Sequence, residues 1–245
     1  MRNLSPEILP LGHDGLLVRF ATTAFPQATA AVQNLTRRAE AADLPGVCEV
    51  VPALASVLFR FDPGVVARAT VAAALRTLIG QEDWSAVALP QAARRWLVPA
   101  AFGHEHGPAL AEAAALAGVS EAEAVRQITG TALRVLAIGF APGQPYLGFL
   151  PENWDLPRQR VLTPQAPAGA ILLAVRQLVL FVHASPTGWR QVAQTAFRPF
   201  QPAAAQPVLL RSGDELRLVA TPGHEVAALM RDGAMLGGAR CEVLA

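Results

Sequence analysis

The chain contains no lysine: all twenty basic residues among its 245 are arginine. That absence excludes every mechanism needing an ammonium side chain, namely Schiff-base chemistry, the phosphate loop ending in Gly-Lys-Ser/Thr, and Ser-Ser-Lys amidases. Cysteine is scarce too. Cys48 and Cys241 make neither a CxxC pair nor a ligand cluster, and read as two incidental thiols. Charge of one sign is also in short supply, since twenty basic against nineteen acidic residues leave a formal net charge of +1. There is no basic excess to hold a phosphate backbone, which argues against a nucleic-acid partner. Long apolar runs are missing as well. Ala170 to Val175 and Leu178 to Ala184 are split by Arg176-Gln177, short of the roughly 18 to 20 residues that a spanning helix needs. Met1 to Pro6 lacks the apolar core of a signal peptide. The expectation is a cytoplasmic chain with no membrane partner.

What is present is apolar. With 52% hydrophobic and 16% charged residues, a substantial core can form. The length allows one large domain or two small ones. Leu16 to Phe20 reads as a strand and Gln27 to Ala42 as a helix ended by Pro45-Gly46. Val47 to Val51 and Ser56 to Phe61 read as two further strands. Asp62 as N-cap and Pro63 in the first turn predict a helix reaching about Gly80. The polar stretch Gly80 to Asp83 and the later Pro90-Gln91 mark a linker, so the expected division is residues 1–90 and 91–245. The second block opens with a strand at Arg95 to Ala101 and two helices, Pro108 to Ala117 and Glu121 to Ile128. Ser120 and Glu123 form a capping box. Short apolar runs broken by Pro and Gly then extend from Leu133 to Val219, favouring a β-barrel or sandwich. A terminal helix at Glu225 to Leu236 and a strand at Cys241 to Leu244 complete the reading.

Three segments could carry chemistry. His104-Glu105-His106 would put two imidazoles on one side of a strand, yet no third metal ligand is evident, and a loop before Gly107-Pro108 is the plainer reading. No metal is therefore assigned. Ser185, two residues after His183, is the only serine beside a histidine in a Gly/Pro turn, although residues two apart seldom reach attack geometry. The run Gly139 to Gly148 is dense in Pro and Gly, and its exposed amides could bind a carboxylate or phosphate oxygen.

Taken in order, Gly139-Phe140-x-Pro142-Gly143-x-Pro145-Tyr146-Leu147-Gly148, Leu150-Pro151, Pro157-Arg158, Pro167-Ala168-Gly169, Gln177, Ser185-Pro186-x-Gly188-Trp189 and Thr195 form a specific set. They resemble the family of the 5-oxoprolinase B subunit, also called allophanate hydrolase subunit 1 or the carboxyltransferase domain, which includes the sporulation kinase inhibitor. Pro10-Leu11-Gly12, Gly15 to Val18, Leu44 to Pro52 and Phe59-x-Phe61-Asp62-Pro63 extend the resemblance to the first block. The resemblance implies an α+β protein, with a small N-terminal α+β domain followed by a cyclophilin-like β-barrel. It implies a homologous barrel subunit as partner (of the type of the 5-oxoprolinase C subunit or allophanate hydrolase subunit 2), a small-molecule substrate, and ATP used together with that partner.

The departures are Gln127 for His, Gln144 for Phe, Thr163 and Gln194 for Arg, and Ala109 for Asp. Val175-Arg176-Gln177-Leu178-Val179 stands for Gly-Gly-Gln-Thr-Gly. These exchanges weaken anion binding and remove a proton carrier. The expected function is a subunit of an ATP-dependent amide or lactam hydrolase, inactive alone. The alternatives are a regulatory protein that inhibits a sensor histidine kinase and a carboxyltransferase component of urea breakdown, which needs a partner to carry biotin. Gln177 and Tyr146 are expected to hydrogen-bond substrate and Arg158 to pair with a carboxylate or phosphate. The amides near Gly143 and Gly188 would hold an oxyanion, with Ser185 nearby and Arg176 adding a charge beside Gln177.

Overall fold

The structure, a computed structural model, describes residues 4–244. It comprises two compact units, Met1–Gln91 and Ala92–Ala245. In the first, β1 (Glu7–Leu11), β2 (Gly15–Arg19), α1 (Pro26–Ala42), β3 (Val47–Pro52), β4 (Ser56–Phe61) and α2 (Arg68–Ile79) build one layer of sheet and one of helix. The sheet is antiparallel in the order β1-β2-β4-β3. Leu16, Val18, Val57, Phe59 and Phe61 alternate along their strands to make one apolar face. Ala28, Val32, Leu35 and Ala39 recur at helical spacing on α1 to cover it. β1 escaped the sequence reading because Pro10 interrupts it, which an edge strand tolerates.

One helix begins later than expected. Asp62 is not the N-cap of α2: its carboxylate accepts from Gly64 N at 2.8 Å, and its carbonyl accepts from Val65 and Val66. The aspartate closes its own turn, and Gly64-Val65-Val66 has too little helix propensity to continue from it.

The second unit contains β5 (Arg94–Phe102), α3 (Leu110–Leu116), α4 (Glu121–Gly130), β6 (Leu133–Ile138), β7 (Pro145–Gly148), a 3₁₀ turn (Glu152–Trp154), β8 (Thr163–Ala166) and β9 (Ala170–Ala174). β10 (Gln177–Leu180), β11 (Ser185–Thr187), β12 (Arg190–Gln194), β13 (Glu215–Ala220), α5 (Gly223–Asp232) and β14 (Arg240–Val243) follow. Seven strands run β12-β9-β10-β7-β6-β13-β5, and pairing of β5 with β12 closes the ring. β14 adds to the open edge of β5, β8 and β11 form a separate ribbon, and β5–β13 is the one parallel pairing among the described strands.

The barrel has two distinct apolar surfaces. Val98, Val135, Leu147, Leu173, Leu178, Val192 and Leu216 come from all seven strands and meet in one cluster, which only the interior of a closed ring permits. Alternate residues of the same strands, Leu172 and Val179 among them, belong to a smaller cluster with Ala166, Phe181 and Trp189. That cluster lies on the outer wall, roofed in part by β8. Every residue of β9 is buried because both of its faces are covered.

Ser120 caps α4 by accepting from Glu123 N at 3.2 Å. The reciprocal half of the expected capping box is not made: the Glu123 carboxylate is taken by Arg126 and Gln127. Gly233, at φ 70°, ends α5 before Leu236. Among the described residues no helix is long and apolar enough to cross a membrane.

Candidate functional site

The polar residues worth attention stand on the outer wall. Tyr146 on β7 lies opposite Val179 on β10, and Gln177 lies two residues from Val179 on the same face. Diagonal neighbours of this kind are within reach of long side chains. The Trp189 ring meets Tyr146 edge-on with centroids 6.2 Å apart, and the Arg158 guanidinium sits 5.4 Å from the Trp189 ring centroid. Gln159 N donates to Gly188 O at 2.7 Å, which ties the segment after Pro157-Arg158 to the turn before Trp189. A Cβ at Gly188 would stand 3.3 Å from Gln159 O, so the close approach favours glycine.

The electrostatics suit a neutral donor. Burial pushes the Tyr146 phenol above its ordinary value of 10.0, and the nearby Arg158 charge opposes that only in part. The hydroxyl therefore keeps its proton at neutral pH. Gln177 is only 3% exposed, and among the described residues no group hydrogen-bonds its carboxamide. The carboxamide keeps a little solvent contact at the end of an otherwise buried side chain, which leaves it free to bond water or a ligand. Gly148, opposite Gln177, is itself closely packed: a Cβ there would lie 2.7 Å from Leu136 Cδ1.

Of the residues singled out from sequence, Tyr146 and Arg158 converge on Trp189 beside Gly188, and Gln177 lies diagonally from Tyr146 on the same face. Ser185 flanks them on β11 opposite Ala166, buried, its hydroxyl without a hydrogen bond among the described residues. His183 is exposed and makes no bond to Ser185, so no nucleophile and base pair forms there. Gly143 is not part of the cluster. It has φ 72° and packs on Phe200, whose Cβ would be 2.5 Å from an added methyl.

Arg176 is committed elsewhere. Its Nε donates to Leu150 O at 2.9 Å, its guanidinium faces the Phe149 ring, and Glu152 lies 3.9 Å away. Its charge secures the 149–154 loop. Gln127 likewise donates to Glu123 and accepts from Asn153 and from Trp154 Nε1 at 2.8 Å, which makes it a structural clamp. Gln144 is buried with Oε1 unpartnered, and Thr163 on β8 opposes Thr187. Contrary to the strand geometry considered for them, His104-Glu105-His106 occupy a turn after β5, with His104 at φ 46°. His106 Nδ1 lies 3.1 Å from Gln194 Oε1. The groove that Gln194 lines was not foreseen, although Pro167-Ala168-Gly169 and Thr195 at its rim already stood out as motif pieces.

Residues 6–210 match the family described as carboxyltransferase domain, subdomain C and D. The chain is 33% identical over 179 residues to the 5-oxoprolinase B subunit of Escherichia coli O157:H7, covering 72% of this chain and 79% of the relative. It is 28% identical to the 5-oxoprolinase B subunit of Bacillus subtilis (strain 168), covering 87% and 92%. The crystal structure of TTHA0988 superposes with a TM-score of 0.68 at 27% identity, covering 85% of this chain; this chain spans only 40% of that one. K. lactis urea amidolyase shares the fold, with a TM-score of 0.71 at 14% identity over 99% of this chain and 16% of its own. The chain belongs to the carboxyltransferase-domain family that includes the 5-oxoprolinase B subunit.

Proposed function

We propose that this chain is the B-type subunit of an ATP-dependent hydrolase of small cyclic amides, completed by a homologous barrel subunit. The observation that supports this most is the Gln177 carboxamide, unpartnered among the described residues and on the same face as a phenol held neutral, with a guanidinium held over Trp189. A substrate with a carboxylate and a ring amide, such as 5-oxoproline, complements that set. Arg158 would take the carboxylate, while Gln177 and Tyr146 would bond the amide carbonyl and N–H. Tyr146 can donate to a carbonyl oxygen as it gains negative charge.

The residues on this face do not fit a nucleoside triphosphate. Among the described residues Arg158 is the one cation over the Trp189 ring, the neighbouring Arg190 is engaged by Glu112 and Pro157 O, and no group of three His, Cys, Asp or Glu is placed to hold an accompanying metal. ATP is therefore assigned to the complex with the partner. Nor, among the described residues of this face, is a nucleophile hydrogen-bonded to a base.

Co-expression with a homologous barrel-type subunit, followed by an ATP-turnover screen on 5-oxoproline, allophanate and related lactams, tests the proposal. Turnover should require both chains, and Gln177→Leu, Tyr146→Phe and Arg158→Ala should each lower it while the complex still forms. A chain that hydrolyses a lactam alone, or variants as active as the parent, would overturn it. Inhibition of a histidine kinase by the isolated chain, without partner-dependent turnover, would shift the assignment to the regulatory class.

A further inference from the structure

A second candidate site lies toward the other end of the same outer face. Phe181 follows β10, four residues from Gln177, or about 13 Å along an extended strand. Beside it a groove of about 430 Å³ opens between the turn at Gly169 and the segment from Gln194 to Phe200, a volume within the usual range for small ligands.

Its polar lining is one-sided. Gln194 is 8% exposed, and its Oε1 lies 3.1 Å from His106 Nδ1. An imidazole N–H donating to that oxygen leaves the Gln194 amino group, with two donor hydrogens, unpartnered among the described residues. His106 is held in place. Its carbonyl accepts from Gln191 Nε2 at 2.8 Å, and a Cβ on Gly223 would come within 2.9 Å of its Nε2. The Arg198 side chain, exposed at the groove, forms no ion pair or hydrogen bond among the described residues. Thr195 Oγ is already used as an acceptor by Phe197 N. Among the described residues no Asp or Glu lines the groove, while Phe181, Phe200 and Met230 supply apolar walls.

We propose that this groove binds a small monocarboxylate with an apolar body. The carboxylate would pair with Arg198 and accept from the Gln194 amino group, and the body would lie between Phe181 and Phe200. The single guanidinium and the apolar walls favour a monocarboxylate over phosphate. This site goes beyond the hydrolase reading, since none of Tyr146, Gln177 and Arg158 lines it.

Calorimetric titration of the full isolated chain with benzoate, isovalerate, benzamide and inorganic phosphate tests the proposal. At least one of the two carboxylates should bind in the millimolar range, with benzamide and phosphate about tenfold weaker or absent, as loss of a charge-assisted pair requires. Arg198→Gln, at an exposed position that leaves the core intact, should weaken binding about tenfold. Gln194→Leu should also weaken it, and Phe200→Ala supplies the second check if the buried substitution unfolds the chain. Tyr146→Phe should leave binding unchanged. Failure of both carboxylates to bind, equal binding of benzamide or phosphate, or an Arg198→Gln variant with parental affinity would overturn the proposal. Because no partner is needed, this result and the turnover result can fail separately.

Discussion

Replacing Gln127 with leucine should destabilise the barrel without touching the outer-wall site. The Gln127 carboxamide accepts from Trp154 Nε1 at 2.8 Å, and Trp154 is completely buried. Leucine would fill similar space and leave the indole N–H without a partner, which costs about 1–3 kcal/mol. The bond to Glu123 is lost too, but that carboxylate keeps Arg126. The expected loss is thus about 2 kcal/mol, or about 4–8 °C in midpoint for a protein of this size. Urea unfolding followed by tryptophan fluorescence measures it, with the slope unchanged. Gln127→His should lose less than half as much, since an imidazole nitrogen can still accept from the indole. A Gln127→Leu variant within about 0.5 kcal/mol of the parent would refute the reasoning, because that is the scatter of substitutions that break nothing.

Tyr146 is the only tyrosine, so ultraviolet titration of tyrosinate reads this site alone. Its midpoint should lie above 10.0, and Arg158→Ala should raise it further; an unchanged or lower midpoint in that variant would break the proposed electrostatic coupling. Because the folded state holds this proton more tightly, stability should fall as pH rises beyond about 10. Glu215 has the opposite sign. Burial raises its pKa, but hydrogen bonds from Arg95 and Arg217 outweigh that and hold it below 4.5. Its contribution should persist above that pH and fade as pH falls through the lowered value, and Glu215→Gln should flatten the acid limb of stability against pH. Val175 occupies φ 45°, a left-handed conformation that a β-branched residue strongly resists. Val175→Gly should raise stability by about 1 kcal/mol in urea unfolding, and a clear loss would count against strain at that turn.

Much of the fold was legible because its periodicities are local. The alternation in Leu16 to Phe20 and Ser56 to Phe61, the spacing along Gln27 to Ala42, and the Ser120 cap each carry their own structural instruction. The succession of short runs after Leu133 pointed to a barrel or sandwich, and the ordered motifs selected the barrel by resemblance. Where a local signal had a local competitor, the reading slipped. Asp62 resembles an N-cap until its carboxylate is spent on Gly64 two residues away. The glycines that the family places where Val175 and Arg176 stand gain a physical reason only from the backbone, since both positions have positive φ.

The sequence by itself determined the chemistry available: guanidinium but no ammonium, scattered thiols, one phenol, and Pro/Gly turns at set intervals. Tertiary structure decided which of those groups meet. Ring closure between β5 and β12 sends alternate residues of each strand to opposite surfaces, so Tyr146 and Gln177 share the outer wall while Leu147 and Leu178 enter the core. No one-dimensional pattern distinguishes the two walls when both are covered and both strands read as apolar. Arg158 and Trp189, thirty-one residues apart in the chain, meet because a backbone bond from Gln159 to Gly188 and the Arg190 guanidinium on Pro157 O bring their segments together. Arg176, next to Gln177 in sequence, turns instead to Leu150. Proximity along the chain sets which residues are neighbours; pairing across the sheet sets which side chains share an environment.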